Sequence, residues 1–483
     1  MLTLLSLALI ADAPPEQPNI VFIMADDLGY GDLGCFGSTK IRTPNIDALA
    51  ARGMRLTRHY AGNAVCAPSR CVLMTGLHPG HCEIRSNGEI SPEGQWPIAD
   101  DTVTVAERLK ELGYATGAFG KWGLGGPYTV GEPLRQGFDR FYGYNCQRIA
   151  HNFFPTSLWS DRDVVPLANR GFSAYGKLGP DDDPGDPASY ERFTDADYSA
   201  DLIAGQAVAF VDAHADEPFF LYHPTTIPHL ALQAPAETIA SYADDPAFAD
   251  DPPYVGGNGY LPAFRPHATY AAMVTRMDEH VGQIVAALER NRLLDRTVIV
   301  FTSDNGPAYR RLGGTDTAFF DSHGGLRGRK GDLYEGGIRV PTVVAGPGIT
   351  QGESDTLSGF EDWTPTLVAI AGGDVPDDVD GVSLVPTLTG QPQPSRGPMY
   401  REFPSYGGQQ AVWDGDWKLY RGDLNRKARQ NAPLEWELYD LASDSDESDD
   451  VAGAHPDVVE RLAAFAESAR EPSSVFPFPA LDR

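Results

Sequence analysis

Four apolar stretches of this sequence each lead into residues that can ligate, protonate or neutralise a substrate. Asn19 to Met24 runs into Asp26-Asp27, and Thr297 to Thr302 runs into Ser303-Asp304-Asn305-Gly306. Ala115 to Phe119 runs into Gly120-Lys121, and Phe219 to His223 is followed by Pro228-His229. In open α/β sheets ligands bind beyond the carboxyl ends of the strands. If the four stretches are parallel neighbours, three carboxylates, one amide, one lysine and one histidine converge. Singly, each motif has a plain explanation. Paired aspartates cap helices or make turns, Asp-Asn-Gly is a favoured turn, and a histidine after proline is an ordinary loop residue. Their shared position after a strand is what points to a site. Asp26, Asp27, Asp304 and Asn305 offer only oxygen, which suits Ca2+ or Mg2+ better than zinc.

The most specific segment is Cys66-Ala67-Pro68-Ser69-Arg70, followed by Leu73-Met74-Thr75-Gly76. Pro68 can open a helix, because the amide proton it lacks would be orphaned there. Cys66 would then stand at a helix N-terminus, where backbone donors and the dipole favour negative charge. A bare C-x-P would read only as a buried cysteine ahead of a capped helix.

The elements that must position these groups follow from patterning. The 483 residues are 42% hydrophobic and 22% charged, enough apolar material for a large core. A net charge of −29 argues against a nucleic-acid partner and against an anionic membrane surface. No internal stretch approaches the roughly 20 apolar residues that span a bilayer. Apolar runs alternate with helical patterns, which predicts an α/β fold with a large, mainly parallel sheet flanked by helices. Thr102 to Leu112, Ala271 to Arg290 and Pro456 to Ala469 read as helices. Residues 161–195 and 244–266, rich in Asp, Pro, Gly and aromatics, read as long loops of the kind that carry function.

A Gly/Pro/Gln/Ser stretch from Thr389 to Arg396 marks a boundary. Beyond it Ala411 to Tyr420 and Glu435 to Tyr439 read as strands of a short antiparallel sheet. The expected organisation is therefore a signal peptide over 1–15, a catalytic α/β domain over 16–390 and a small C-terminal α+β subdomain over 391–483. Leu2 to Ile10 followed by Ala11-Asp12-Ala13 fits a signal-peptidase site, so the protein is expected to be exported, periplasmic or secreted. Five cysteines include no C-x-x-C pair. If Cys66 is the one outside any disulfide, the pairing of Cys35, Cys71, Cys82 and Cys146 stays open.

C-x-P-S-R with its downstream Thr-Gly resembles the signature of the type I, arylsulfatase-like sulfatases of the alkaline-phosphatase-like superfamily. Other segments match in order. Asn19 to Gly31 (NIVFIMADDLGYG) resembles the family's opening strand and metal-binding aspartates, and Thr302 to Gly306 (TSDNG) its second pair of ligands. Gly120 to Gly125 (GKWGLG) resembles the active-site lysine motif, and Pro228-His229 the family's histidine. Leu326 to Pro341 (LRGRKGDLYEGGIRVP) resembles the segment whose lysine binds sulfate, here Lys330, and ELYDL at Glu437 to Leu441 resembles the C-terminal subdomain.

The resemblance implies hydrolysis of sulfate monoesters. Cys66 would be oxidised to Cα-formylglycine by a formylglycine-generating maturation enzyme, and one Ca2+ would be held by Asp26, Asp27, Asp304, Asn305 and the modified Cys66. It further implies that a hydroxyl of the hydrated aldehyde attacks sulfur and that His229, with Lys330, protonates the leaving oxygen. Arg70 and Lys121 would orient the nucleophile and offset charge. One departure stands out: the family's lysine motif commonly continues Lys-Trp-His, and here Gly123 takes the histidine's place. His323 and His151 are candidates to replace it.

Two rival readings remain at this point. One is a phosphate or phosphonate monoester hydrolase of the same superfamily, the other a non-catalytic sulfoglycan-binding relative. Sulfated carbohydrate is the expected substrate, with aryl sulfates as artificial ones. Arg85, Asn87, Tyr128, Trp159, Tyr309, Arg310 and Arg311 are candidate sugar contacts.

Overall fold

Asn19 to Ala25 is apolar on both sides of its pleat, and it folds as a wholly buried strand at the middle of a ten-stranded sheet. The computed structural model describes residues 17–482, so the expected signal segment lies outside the described residues. From edge to edge the strands are Gly352–Ser354, Met54–Leu56, Thr342–Ala345, Thr297–Ser303, Asn19–Ala25, Phe219–Pro224, Ala115–Lys121, Arg140–Tyr144, Ser157–Ser160 and Asp163–Pro166. The five strands from Thr297–Ser303 to Arg140–Tyr144 run parallel. Antiparallel pairings begin at Thr342–Ala345 on one side and at Ser157–Ser160 on the other.

Alternate residues of the central strand feed two cores. Val21, Ile23 and Ala25 pack with the helices Ser199–Ala213 and Pro266–Arg290. Ile20, Phe22 and Met24 pack on the opposite face with Cys66–Thr75, Val105–Glu111 and Trp363–Ile370. Helices on both faces explain why the parallel strands read as continuous apolar runs. The helix expected from Thr102 begins instead at Val105, because Thr104 and Glu107 close a reciprocal capping box.

The run Ala411 to Tyr420 is two strands rather than one. Gln409–Asp414 and Trp417–Arg421 are joined through Gly415, whose φ of 60° permits the reversal. With Met399–Phe403 and Glu437–Asp440 they form a four-stranded antiparallel sheet. Tyr400, Val412, Leu419 and Leu438 pack on the helix Pro456–Ser468. The other face, including Phe403, Trp413 and Tyr439, continues the core of the main sheet.

Buried ions reinforce this seam. Lys418 of the small sheet reaches Glu335 at 3.1 Å and Glu447 at 2.6 Å. Arg401 meets Glu361 through two contacts of 2.6 and 3.0 Å and donates from Nε to the Ala61 carbonyl. Arg396 adds a contact to Glu361 at 2.8 Å. Burial would raise the Glu361 carboxyl, but the charges of Arg401 and Arg396 hold it down to about 2.

Glu361→Gln should therefore cost about 3–5 kcal/mol, because Arg401 stays buried without its anion. In the parent the carboxylate's contribution is complete above its ordinary value of 4.5 and is lost as pH falls toward 2. Urea titrations from pH 7 down to pH 3 check both points. A variant as stable as the parent at pH 7 would overturn the assignment.

Candidate active site

The register of the central strands sets the site. Ala25 lies opposite Ser303 and Met24 opposite Pro224, so Asp26, Asp304 and the loop to His229 leave the sheet together. Asp304 donates its backbone N–H to Ala25, and Asp26 donates to Ile227. Asp27 has a φ of 66°, a left-handed conformation that aspartate tolerates better than most residues. The four parallel neighbours do bring their terminal residues to one place.

The helix Cys66–Thr75 opens at Cys66 itself, with Pro68 in its first turn, and all ten residues are buried. Ala67 N–H donates to Asn87 Oδ1 at 3.0 Å, which ties the helix start to the following loop. Cys66 Sγ stands 3.6 Å from Asp26 Oδ1, 3.5 Å from Lys121 Nζ and 3.6 Å from Lys330 Nζ. One turn on, Arg70 grips Asp304 through Nη2 at 2.7 Å and Nε at 3.2 Å, and donates from Nη1 to the Lys121 carbonyl. Lys121 Nζ meets Asp26 at 2.5 Å, and Lys330 Nζ meets Asp27 at 2.7 Å. All the expected site residues are gathered here.

Charge in this cluster is compensated but desolvated. Burial opposes ionisation of Asp26, yet Lys121, Arg70 and Lys330 hold its carboxyl far below the usual range. Asp304 is pushed up to about 6 by burial and by the charge of Asp26. Burial disfavours charge on Lys121 and Lys330, but Asp26 and Asp27 respectively keep them cationic. Burial pushes the Cys66 thiol up to about 12, against the pull of both lysines. A thiol so placed is protonated at neutral pH and is a poor nucleophile.

His229 is held neutral, by burial first and by Lys330 second. Its Nδ1 contacts the Leu230 carbonyl at 2.7 Å. A carbonyl only accepts, so Nδ1 carries the proton and Nε2 is bare, 3.6 Å from Asp27. His229 must therefore gain a proton at Nε2 before it can act as the acid that the resemblance implies, and the charge of a bound anion favours that.

The oxygen ligand set fits a hard cation. Asn305 Nδ2 donates to Asp27 and to Gly306 O, each at 2.8 Å, while the buried Oδ1 has no hydrogen-bond partner. Ligand atoms of Asp26, Asp27, Cys66 and His229 all lie within 4.8 Å of one another. Asp304 stands beside this group, accepting the Asp27 N–H at 3.2 Å.

The space at Gly123 is filled. With φ at 85°, a Cβ there would come 2.6 Å from Gln147 Nε2, so the Gln147 amide takes the place of a side chain at 123. An amide is not basic. Of the two candidate replacement histidines, His323 does not line the site cavity and His151 does. The His151 ring stacks on His229 at 4.5 Å and 12°, with Nδ1 2.6 Å from the Tyr175 hydroxyl. Burial and the nearby charges of Lys121 and Lys330 keep His151 neutral.

Cys66, Asp27, His229 and Lys330 line the floor of a cavity of about 420 Å³. Asn87 and Tyr309 line its wall as expected, and Gln95, Gln147, Tyr260 and Tyr406 do so without having been foreseen. Tyr260 belongs to the 244–266 loop, whose aromatic content was the available signal. Arg85 is no sugar contact: its Nη1 is paired with buried Glu402 at 2.8 Å. Tyr128 and Trp159 pack edge to face on each other at 6.3 Å, and neither lines the cavity; nor do Arg310 and Arg311. All five cysteines are free.

The chain is an α/β protein with a doubly covered, mainly parallel sheet and a buried cluster of acidic, basic and thiol side chains beyond its strand ends. Comparison with known proteins narrows this. Residues 18–373 match the sulfatase family model, and residues 329–467 match the C-terminal model of N-sulphoglucosamine sulphohydrolase. Human arylsulfatase A is 34% identical over 499 residues, covering 93% of this chain and 87% of that protein. An N-acetylgalactosamine-6-O-sulfatase of Bacteroides thetaiotaomicron is 30% identical, covering 94% of this chain and 93% of its own. The crystal structure of Ps i-CgsB superposes with a TM-score of 0.76 at 27% identity, covering 95% of both chains. The same protein has been solved with k-i-k-neocarrahexaose, at TM-score 0.75 and 27% identity, covering 96% of this chain and 95% of that one. The chain belongs to the sulfatase family, enzymes that hydrolyse sulfate esters.

Gly123→Ala should destabilise the fold by about 1–3 kcal/mol, through the positive φ and the close Gln147 amide. Adding Gln147→Ala should recover part of that loss, since the two side chains compete for one space. Thermal unfolding of the two single variants and the double variant measures this. A Gly123→Ala protein as stable as the parent would contradict it.

Proposed function

We propose that this sulfatase cleaves sulfate monoesters of sulfated carbohydrates, using a Cα-formylglycine made from Cys66 and one Ca2+ held by Asp26, Asp27, Asp304 and Asn305. The observation that carries the proposal is the setting of Cys66. Two lysines and a carboxylate surround its Sγ, while the thiol itself is too weakly acidic to react. A hydrated formylglycine at position 66 would supply two hydroxyls, a nucleophile for sulfur and a means of releasing inorganic sulfate. Bound Ca2+ supplies positive charge to the sulfate oxygens. No described helix is long and apolar enough to cross a membrane. Maturation by a formylglycine-generating enzyme and export rest on the C-x-P-S-R and Leu2 to Ala13 motifs.

The chain's own residues then have distinct tasks. Arg70 holds Asp304 and Asp26 in register with the cation. Lys121 and Lys330 neutralise charge that grows on the sulfate and on the leaving oxygen. His229 takes a proton at Nε2 as the anionic ester binds and passes it to the departing sugar oxygen. His151, the candidate histidine that lines the cavity, can accept a proton in place of a histidine at 123 once a bound anion offsets the charges of Lys121 and Lys330. Tyrosines and amides around the cavity suit sugar faces and hydroxyls, and the relatives named for N-acetylgalactosamine and solved with k-i-k-neocarrahexaose support that class.

Cys66→Ala should lose more than about a thousandfold in kcat on 4-nitrophenyl sulfate, the scale of a lost nucleophile. In active material, mass spectrometry of the residue-66 peptide should find aldehyde instead of thiol. Near-normal turnover by the variant, or intact thiol in fully active enzyme, sinks the proposal.

Calcium at about a hundredfold excess over its Kd should add about 2.7 kcal/mol to stability. Scanning calorimetry with Ca2+ and with EGTA should show the rise in Tm, and Asn305→Ala should diminish it. An unchanged Tm in the parent would exclude this ion site.

A further inference from the structure

The catalytic cavity is not closed. Arg148 lines it, and the same side chain lines two neighbouring cavities of about 300 and 420 Å³. The two branches differ in charge. The larger holds Glu89 and Glu93 beside Arg148. The smaller, walled by Asn152, Thr156, Ser173 and Tyr175 among others, has Arg148 as its one charged lining residue. Tyr175, which contacts His151, links this branch to the lining of the catalytic cavity.

Arg148 itself is weakly committed. Its recorded ionic partner is Glu89 at 3.5 Å, and the two side chains are 64% and 48% exposed. An exposed pair at that distance contributes little and is readily exchanged. A guanidinium matches the planar or trigonal oxygens of a carboxylate or sulfate in paired hydrogen bonds. In a protein of net charge −29, a loosely held arginine where two sugar-sized cavities meet is placed to select an anion.

We propose that Arg148 recognises a second anionic group, a sulfate ester or a carboxylate, on the sugar next to the one being desulfated. That neighbouring sugar occupies the Asn152–Tyr175 branch, while the Glu89–Glu93 branch repels a like-charged group. The preferred substrate is then an oligosaccharide with anions on adjacent sugars. The inference rests on the carbohydrate reading above and deepens it.

The test uses matched disaccharides from carrageenan and from chondroitin, each pair differing by one sulfate on the neighbouring sugar. Calorimetric titration of the full chain carrying Cys66→Ala measures binding without turnover. The second sulfate should tighten binding about tenfold in at least one pair. Arg148→Gln should remove that gain, and Arg148→Lys should keep part of it. In the chain with Cys66 intact, Arg148→Gln should lower kcat/KM for the disaccharide with two sulfates about tenfold more than for its partner with one. A gain that survives Arg148→Gln overturns the inference, as does equal weakening of both members of a pair or no gain in any pair. Turnover of 4-nitrophenyl sulfate reports separately on sulfate hydrolysis, so failure here is distinguishable from failure of that reading.

Discussion

Burying Asp26, Asp27 and Asp304 side by side is tolerable only because Arg70, Lys121 and Lys330 are buried with them. Each ion taken out of water costs several kcal/mol, and contacts of 2.5 to 2.7 Å offset that loss only while every partner is in place. The six groups come from widely separated parts of the sequence. They meet because the central strands are parallel and in register. Disturbing the sheet order would strand unpaired charges in the core, so the site and the fold share one electrostatic constraint.

That constraint reaches into the C-terminal sheet. Arg401 lies on its first strand, yet it pairs with Glu361 beside the Trp363–Ile370 helix and donates to Ala61, a few residues before Cys66. Lys418 reaches Glu335, five residues past the sulfate-binding lysine expected at 330. One face of the small sheet is an extension of the main core rather than a separate one. The C-terminal segment thereby braces the chain on both sides of the site.

Polarity around the cavity divides the labour further. The floor carries Asp27, Cys66, His229 and Lys330, and the rest of the lining includes amides, tyrosines and the exposed Arg148. Gly123 and Gln147 show how a wall can be rebuilt without moving the floor. Removing a side chain at 123 leaves a volume, and an amide from 24 positions along the sequence fills it.

Much of this was legible in the residues. Strand ends followed by Asp-Asp, Gly-Lys and Asp-Asn-Gly, and a cysteine before a helix-opening proline, carry their meaning locally. Chemistry at a strand end depends on the few residues that follow it, and the period of the apolar pattern selects strand or helix. The short edge strands were not legible, because three or four residues hold too little periodicity. Arg85 was misread as a sugar contact, because its partner Glu402 lies 317 positions away and side-chain type alone cannot distinguish an exposed arginine from a paired one. The filling of Gly123 by Gln147, the stacking of His151 on His229 and the meeting of cavities at Arg148 likewise depend on contacts between loops. Local residue order determined which groups could do chemistry. Packing of distant segments decided which are charged, which are neutral and which face the substrate, because burial and proximity are properties of the folded chain alone.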